Sequence, residues 1–203
     1  MSATALRALQ WMEAEGAQIA RGLKRRDPEM LDRLIEQYQH RLLRYLVYLT
    51  SNRELAEDLF QETWIRVLER GAQYNGKLRF DAWLLAIARH LVIDNSRKKT
   101  GLSLEALTDP NAVSVPMQFP SGGPSPLEMA QRRQLGEHLE DALLNVDVLQ
   151  RETIVLRFQE ELSLEEIATV TGAPLSTVKS RLYRGLEALR PVLEESKMME
   201  AHA

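Results

Sequence analysis

Leu162-Ser-Leu-Glu-Glu-Ile-Ala-Thr-Val-Thr-Gly-Ala-Pro-Leu-Ser-Thr-Val-Lys-Ser-Arg-Leu-Tyr-Arg-Gly-Leu-Glu-Ala-Leu-Arg190 reads as a helix, a tight turn and a second helix. Ser163 followed by Glu166 is a capping box that opens the first helix. Leu164, Ile167 and Ala168 give it one buried stripe. Gly172 suits a left-handed turn, and Pro174 suits the first turn of the next helix. There Leu175, Val178, Leu182, Leu186 and Leu189 recur at helical spacing and should face inward. Ser176, Thr177, Lys179, Ser180, Arg181, Tyr183 and Arg184 are left outside, a face of hydroxyls and cations that suits phosphates and base edges in a major groove. Periodicity alone is served equally well by a solvated helix face, so the rest of the chain has to decide.

The chain has 203 residues, room for one domain or two small ones. Hydrophobic residues at 44% are ordinary for a folded protein and exclude wholesale disorder. The absence of cysteine excludes disulfides, thiolate-ligated zinc and a thiol nucleophile. No apolar run reaches the length of a membrane span, and Glu13 and Glu15 do not fit a signal peptide, so a cytoplasmic location without membrane insertion is expected. The net charge is −3 (26 basic against 29 acidic residues), so the cations are clustered rather than dominant. Since non-specific DNA affinity comes mostly from neutralised phosphates, weak binding to DNA without a partner is expected.

Two helical blocks flank a stretch of different composition, so the expected fold is all-α: two small helical domains joined by a flexible linker, the second a helix-turn-helix. The boundaries read from composition are an extension over 1–17, a first domain over 18–99, a linker over 100–125, a second domain over 126–195 and a tail over 196–203. Asp27-Pro28 marks a helix start, and Leu31, Leu34, Ile35, Tyr38, Leu42, Tyr45, Leu46 and Leu49 keep its spacing. Ser51 and Glu54 predict a second capping box, with Ala56, Leu59, Phe60, Thr63 and Val67 inward in the helix that follows. Tyr74-Asn75-Gly76-Lys77 is a turn. A third helix from about Phe80 to Arg97 should bury Phe80, Leu84, Ile87, Ala88 and Leu91. After the Pro- and Gly-rich linker, Ser125-Pro126-Leu127-Glu128 restarts a helix. Apolar Leu135, Leu139, Ala142 and Leu143 follow, then a helix with Ile154, Val155 and Phe158.

With both blocks laid out, the chain resembles bacterial RNA polymerase sigma factors of the extracytoplasmic-function (ECF) type over about Gln18 to Glu195. Leu55-Ala56-Glu57-Asp58-Leu59-Phe60-Gln61-Glu62-Thr63-Trp64 looks like the segment that docks on the polymerase clamp helices. Phe80-Asp81-Ala82-Trp83-Leu84-Leu85-Ala86-Ile87-Ala88-Arg89 looks like the helix that reads and opens the minus-ten element. Leu162 to Arg190 looks like the reader of the minus-thirty-five element. The resemblance implies core RNA polymerase and promoter DNA as partners, an anti-sigma factor as a further one, and assembly rather than chemistry.

Residue patterns agree at each station. Asp58, Gln61, Glu62 and Ile65 fall on one stripe, and an exposed Ile65 beside acids suits a partner surface. By the resemblance they are the polymerase-docking set. Trp83, His90, Asp94 and Arg97 line a second stripe, led by Lys77, Arg79 and Phe80 and followed by Lys98. An aromatic with cations on one face suits single-stranded DNA, although a core role for Trp83 stays open. Three departures stand out: His90 where the family often carries asparagine, Asn145-Val146-Asp147-Val148 in place of a leucine-proline break, and Leu186 after Gly185 where some members place a cation. The acidic total, with polymerase fixing the distance between two DNA readers, suits a factor that acts only when docked. A compact resting form would cover the recognition helix.

Two other classes compete. A one-component regulator would pair the same last helices with a ligand-sensing first domain, against which the Asp58, Gln61 and Trp83 constellation counts. For an enzyme, the four histidines (His40, His90, His138, His202) lack metal-ligand spacing. Gly76-Lys77 is followed by leucine rather than a hydroxyl, and no nucleophile elbow exists. No cofactor, metal site or small-molecule substrate is expected.

Overall fold

The computed structural model describes residues 3–100, 136 and 139–200, with side chains over 13–98, 136 and 139–194. Most of the linker, the helix start at Ser125 and Leu135 lie outside the described residues. Every regular element among the described residues is helical: α1 (Ala3–Arg25), α2 (Pro28–Thr50), α3 (Arg53–Arg70), a 3₁₀ turn (Gly71–Gln73) and α4 (Phe80–Thr100). In the second block come α5 (residues 139–145), α6 (Val148–Ile154), a π turn (Val155–Gln159), α7 (Leu164–Thr171) and α8 (Leu175–Glu200).

α2 starts where Asp27-Pro28 predicts: the Asp27 carboxylate accepts the Glu29 N–H at 3.1 Å, with Pro28 at the first helical position. Its end corrects the second capping box. Ser51 is the left-handed C-cap of α2 (φ 49°), and its N–H donates back to the Val47 carbonyl at 2.8 Å. It therefore lacks the extended backbone an N-cap needs, and Asn52 caps α3 instead, its side-chain oxygen accepting the Leu55 N–H at 3.0 Å. In α3 the buried set is Ala56, Leu59, Thr63, Trp64 and Val67; Trp64 takes the place expected of Phe60, which is half-buried. α1 runs unbroken across the 17/18 boundary and contributes Ile19 and Leu23 to the core.

In the second block the chain breaks at Val146, and the Asp147 carboxylate caps α6 by accepting the Leu149 and Gln150 N–H groups. The π turn then shifts the register: Val155 and Leu156 point in, while Phe158 is 58% exposed, against the expectation that it shares their face. The capping box of α7 is present in full, with Ser163 and Glu166 bonded reciprocally at 2.8 and 3.1 Å. Gly172 holds φ 66° at the end of α7, as the turn requires. Pro174 stands one place earlier than expected, its carbonyl accepting the first bond of α8 from Val178 at 3.0 Å.

The two blocks close on each other, α6 against α2 and α7 against α4, so a single apolar core runs through both. Charged groups stitch this contact. Glu152, fully buried, accepts from Arg89 Nε at 2.8 Å and from the Tyr45 hydroxyl at 2.9 Å. Glu160 accepts from Arg41 Nε at 2.7 Å and faces Arg44 at 3.7 Å. Arg151 donates to the carbonyls of Tyr48, Leu144 and Val146 and to the Ser51 hydroxyl. One guanidinium thus satisfies orphan carbonyls at the end of α2 and at the break after α5. Burial pushes its pKa below the ordinary arginine value.

Candidate polymerase and promoter interfaces

The α3 stripe emerges on the surface. Asp58, Gln61 and Ile65 are exposed and Glu62 is half-buried, because the opposite face of α3 carries Ala56, Leu59, Thr63 and Val67 into the core. Ile65 is 50% exposed, and Leu68, one turn on, is 46% exposed, so an apolar strip adjoins the acids. Arg66 pairs with Glu62 at 3.0 Å, so that acid of the stripe is already partly neutralised within α3. Leu68 also lines a shallow cavity of about 150 Å³ with Leu23, Pro28, Leu31 and Val67. Leu68 escaped the sequence reading, although the step of three from Ile65 would have found it.

The second stripe splits. Lys77, His90, Asp94, Arg97 and Lys98 are exposed, and Arg79 and Trp83 are half-buried. Phe80 is a correction: at 3% exposure its ring packs against Tyr38, Tyr74 and Trp83 at centroid distances of 5.2–5.8 Å. It is a core residue under the surface and presents no face to DNA in this arrangement. Trp83 packs on Tyr74 at 5.1 Å and on Phe80 at 5.8 Å and is half-buried, so part of its ring system stays exposed.

Asp81 organises the start of α4. It accepts two bonds from Arg79, at 3.1 and 2.6 Å, one from Arg41 at 3.3 Å and one from the Ala82 N–H at 2.8 Å. The third nitrogen of Arg79 reaches the Glu161 carbonyl of the second block at 3.5 Å. Burial works against the Arg79 charge, but the hydrogen bond and charge of Asp81 win and raise its pKa. Tyr38 and Tyr74 are pushed up to about 12, first by burial, with Asp81 and Glu15 adding to the effect. Sequence reasoning missed Tyr74 and Asp81, which were read as turn and helix-start residues. The His90 ring donates from Nδ1 to the Ala86 carbonyl at 2.6 Å, which fixes Nδ1 as the protonated nitrogen.

On α8, Ser176, Lys179, Ser180, Tyr183 and Arg184 are exposed, and Thr177 and Arg181 are half-buried. Tyr183 is 76% exposed, a large aromatic left uncovered among the described residues. Closure of the two blocks therefore leaves the recognition face open, because the contact is made through α6 and α7. The three sets lie on α3, on α4 with the turn before it, and on α8. Among the described residues no cluster of His, Asp or Glu is placed to hold a metal, and no helix is long and apolar enough to cross a membrane.

Comparison with known proteins matches residues 34–101 to Sigma-70 region 2 and residues 137–189 to Sigma-70, region 4. The chain is 35% identical to ECF RNA polymerase sigma factor SigE of Mycolicibacterium smegmatis over 80% of its own length and 61% of that protein. It is 31% identical to ECF RNA polymerase sigma factor SigX of Bacillus subtilis over 82% of its length and 84% of that protein. Among solved structures, the sigma factor RpoE of Bartonella quintana, crystallised with the anti-sigma factor NepR, shares the fold. Its TM-score is 0.62 and its identity 24%, over 80% of this chain and 96% of that one. An all-helical protein of two regions in this order is a transcription initiation factor. The chain belongs to the ECF RNA polymerase sigma factors, which direct core polymerase to promoters.

Proposed function

We propose that the first region, 18–99, anchors core RNA polymerase through Asp58, Gln61, Glu62 and Ile65. The segment from Lys77 to Lys98 then captures minus-ten bases, and the second region, 126–195, reads the minus-thirty-five element through the open face of α8. The observation that carries this reading is the pairing of the two family matches with three surfaces that the fold leaves open. Trp83 offers an aromatic platform, and Arg79, Arg97, Lys77 and Lys98 supply phosphate contacts. His90, with Nδ1 committed to Ala86, turns Nε2 to a base edge, an acceptor when the ring is neutral. On α8 the hydroxyls and Lys179, Arg181 and Arg184 divide base reading from phosphate positioning.

Reading two elements at the separation set by polymerase requires α6 and α7 to leave α2 and α4, so the closed contact is the arrangement of the unbound factor. Opening frees the Arg79 nitrogen that reaches the Glu161 carbonyl, while the pair with Asp81, inside the first region, stays and holds the guanidinium at the start of α4. An anti-sigma factor is the natural partner of the closed form; RpoE of Bartonella quintana was crystallised with one. The protein carries no catalytic step of its own, needs no cofactor, and works in the cytoplasm beside the polymerase.

Substitutions separate the roles. Asp58→Ala with Gln61→Ala should weaken core binding about tenfold, equivalent to ~1.4 kcal/mol, and leave the fold intact. Lys179→Ala with Arg184→Ala should leave core binding unchanged and reduce promoter retention by the holoenzyme. Loss of core binding in the α8 variant, or none in the α3 variant, would reverse the division of labour.

A further inference from the structure

We infer that helix α1 braces the minus-ten reader: a close backbone contact between buried Gly16 and half-buried Gly76 sets the turn that presents Lys77 and Arg79. Gly16 is thus a positioning residue, remote from the DNA, for how tightly and selectively the minus-ten bases are held. This deepens the reading above and rests on its assignment of Lys77 and Arg79 to minus-ten DNA.

The contact is reciprocal. A Cβ on Gly16 would lie 2.7 Å from the Gly76 carbonyl oxygen, and a Cβ on Gly76 would lie 2.7 Å from the Gly16 carbonyl carbon. Both obstacles are backbone, which cannot rotate away as a side chain would. Gly76 also holds φ 73°, where any other residue is strained. A glycine inside a helix is costly relative to alanine because it loses more backbone freedom on folding, so helix propensity alone would favour a side chain at residue 16. α1 already has Ile19 and Leu23 in the core to supply packing.

The turn itself is fixed from two more sides. Asn75 Oδ1 accepts the Lys77 N–H at 3.0 Å, and the Tyr74 hydroxyl donates to the Leu78 carbonyl at 2.8 Å. Beneath it the Tyr74, Phe80 and Trp83 rings join the turn to the face of α4. Glu15, the neighbour of Gly16, is close enough to this cluster to raise the pKa of Tyr38 and Tyr74. α1 lies outside the two stretches matched to family models, which begin at residue 34.

The test uses full-length protein in holoenzyme and a fork-junction probe with a single-stranded minus-ten element. Gly16→Ala should lower fork affinity about tenfold and narrow the spread between matched and base-substituted probes, with core affinity and duplex minus-thirty-five binding within about twofold. Combined with Lys77→Ala, the loss should be less than additive, because both act on one contact. Ala14→Gly, at an exposed position, loosens the helix without adding an atom; it should lower fork affinity about threefold, and keeps the test open if Gly16→Ala does not fold. Fork affinity unchanged in a folded Gly16→Ala, or in Ala14→Gly if the first variant fails, overturns the brace, as does full additivity with Lys77→Ala. If the wild-type holoenzyme does not retain the fork probe at all, the minus-ten assignment falls and takes the brace with it.

Discussion

Glu152 shows how much a single side chain carries. It is fully buried in α6, yet its charge is met by Arg89 of α4 and the Tyr45 hydroxyl of α2, two elements of the other region. Breaking a buried pair leaves an uncompensated charge, so Glu152→Ala should lower stability by about 3–5 kcal/mol, read from denaturant melts. Tyr38 and Tyr74 give a second residue-scale expectation. Their pKa values of about 12 in the fold stand above the ordinary 10.0, so the native state keeps protons that the unfolded chain releases. The stabilisation is complete below about pH 10 and is lost as pH rises through about 12. Alkaline melts should therefore show stability falling over that window, with tyrosinate absorbance lagging that of the denatured chain. None of these partnerships was legible in the sequence. A glutamate in an apolar helix reads as a surface charge, and its partners lie 63 and 107 residues away. The half-buried state of Trp83 was likewise open until Tyr74 was placed beneath it.

Where a start signal is local, the sequence announces the helix. Asp27-Pro28 and Ser163 with Glu166 use bonds between residues at most three apart, and Gly172 ends α7 through its own left-handed φ. Gly172→Ala should cost about 1 kcal/mol, because alanine must adopt φ 66° there, and thermal melts of the two proteins would register the difference. A cost near zero would mean that the turn relaxes and the spacing of α7 and α8 is not fixed by this residue. Ser51 misled because two caps meet in two residues, and the end of α2 claims it before α3 can. Phe158 misled for a different reason: the π turn adds a residue to the helical register, and periodicity assumes none is added. The exposure of the stripes proposed for docking on α3 and for recognition on α8 was legible because each lies on one helix, and helical spacing alone assigns its faces.

For the molecule as a whole, the regions interlock through Glu152, Glu160 and Arg151, while the stripes proposed for docking on α3 and for reading on α8 stay exposed. The expectation that closure would cover the recognition helix therefore fails on geometry, since α6 and α7 make the contact. The acidic total is consistent with a chain that has no strong hold on DNA until polymerase presents both readers together. The most direct measurement is a titration of the purified chain with core RNA polymerase, followed by transcription from genomic fragments with the reconstituted complex. The account predicts saturable binding and new promoter-dependent start sites. Absence of core binding, together with tight duplex DNA binding by the chain alone, would contradict it.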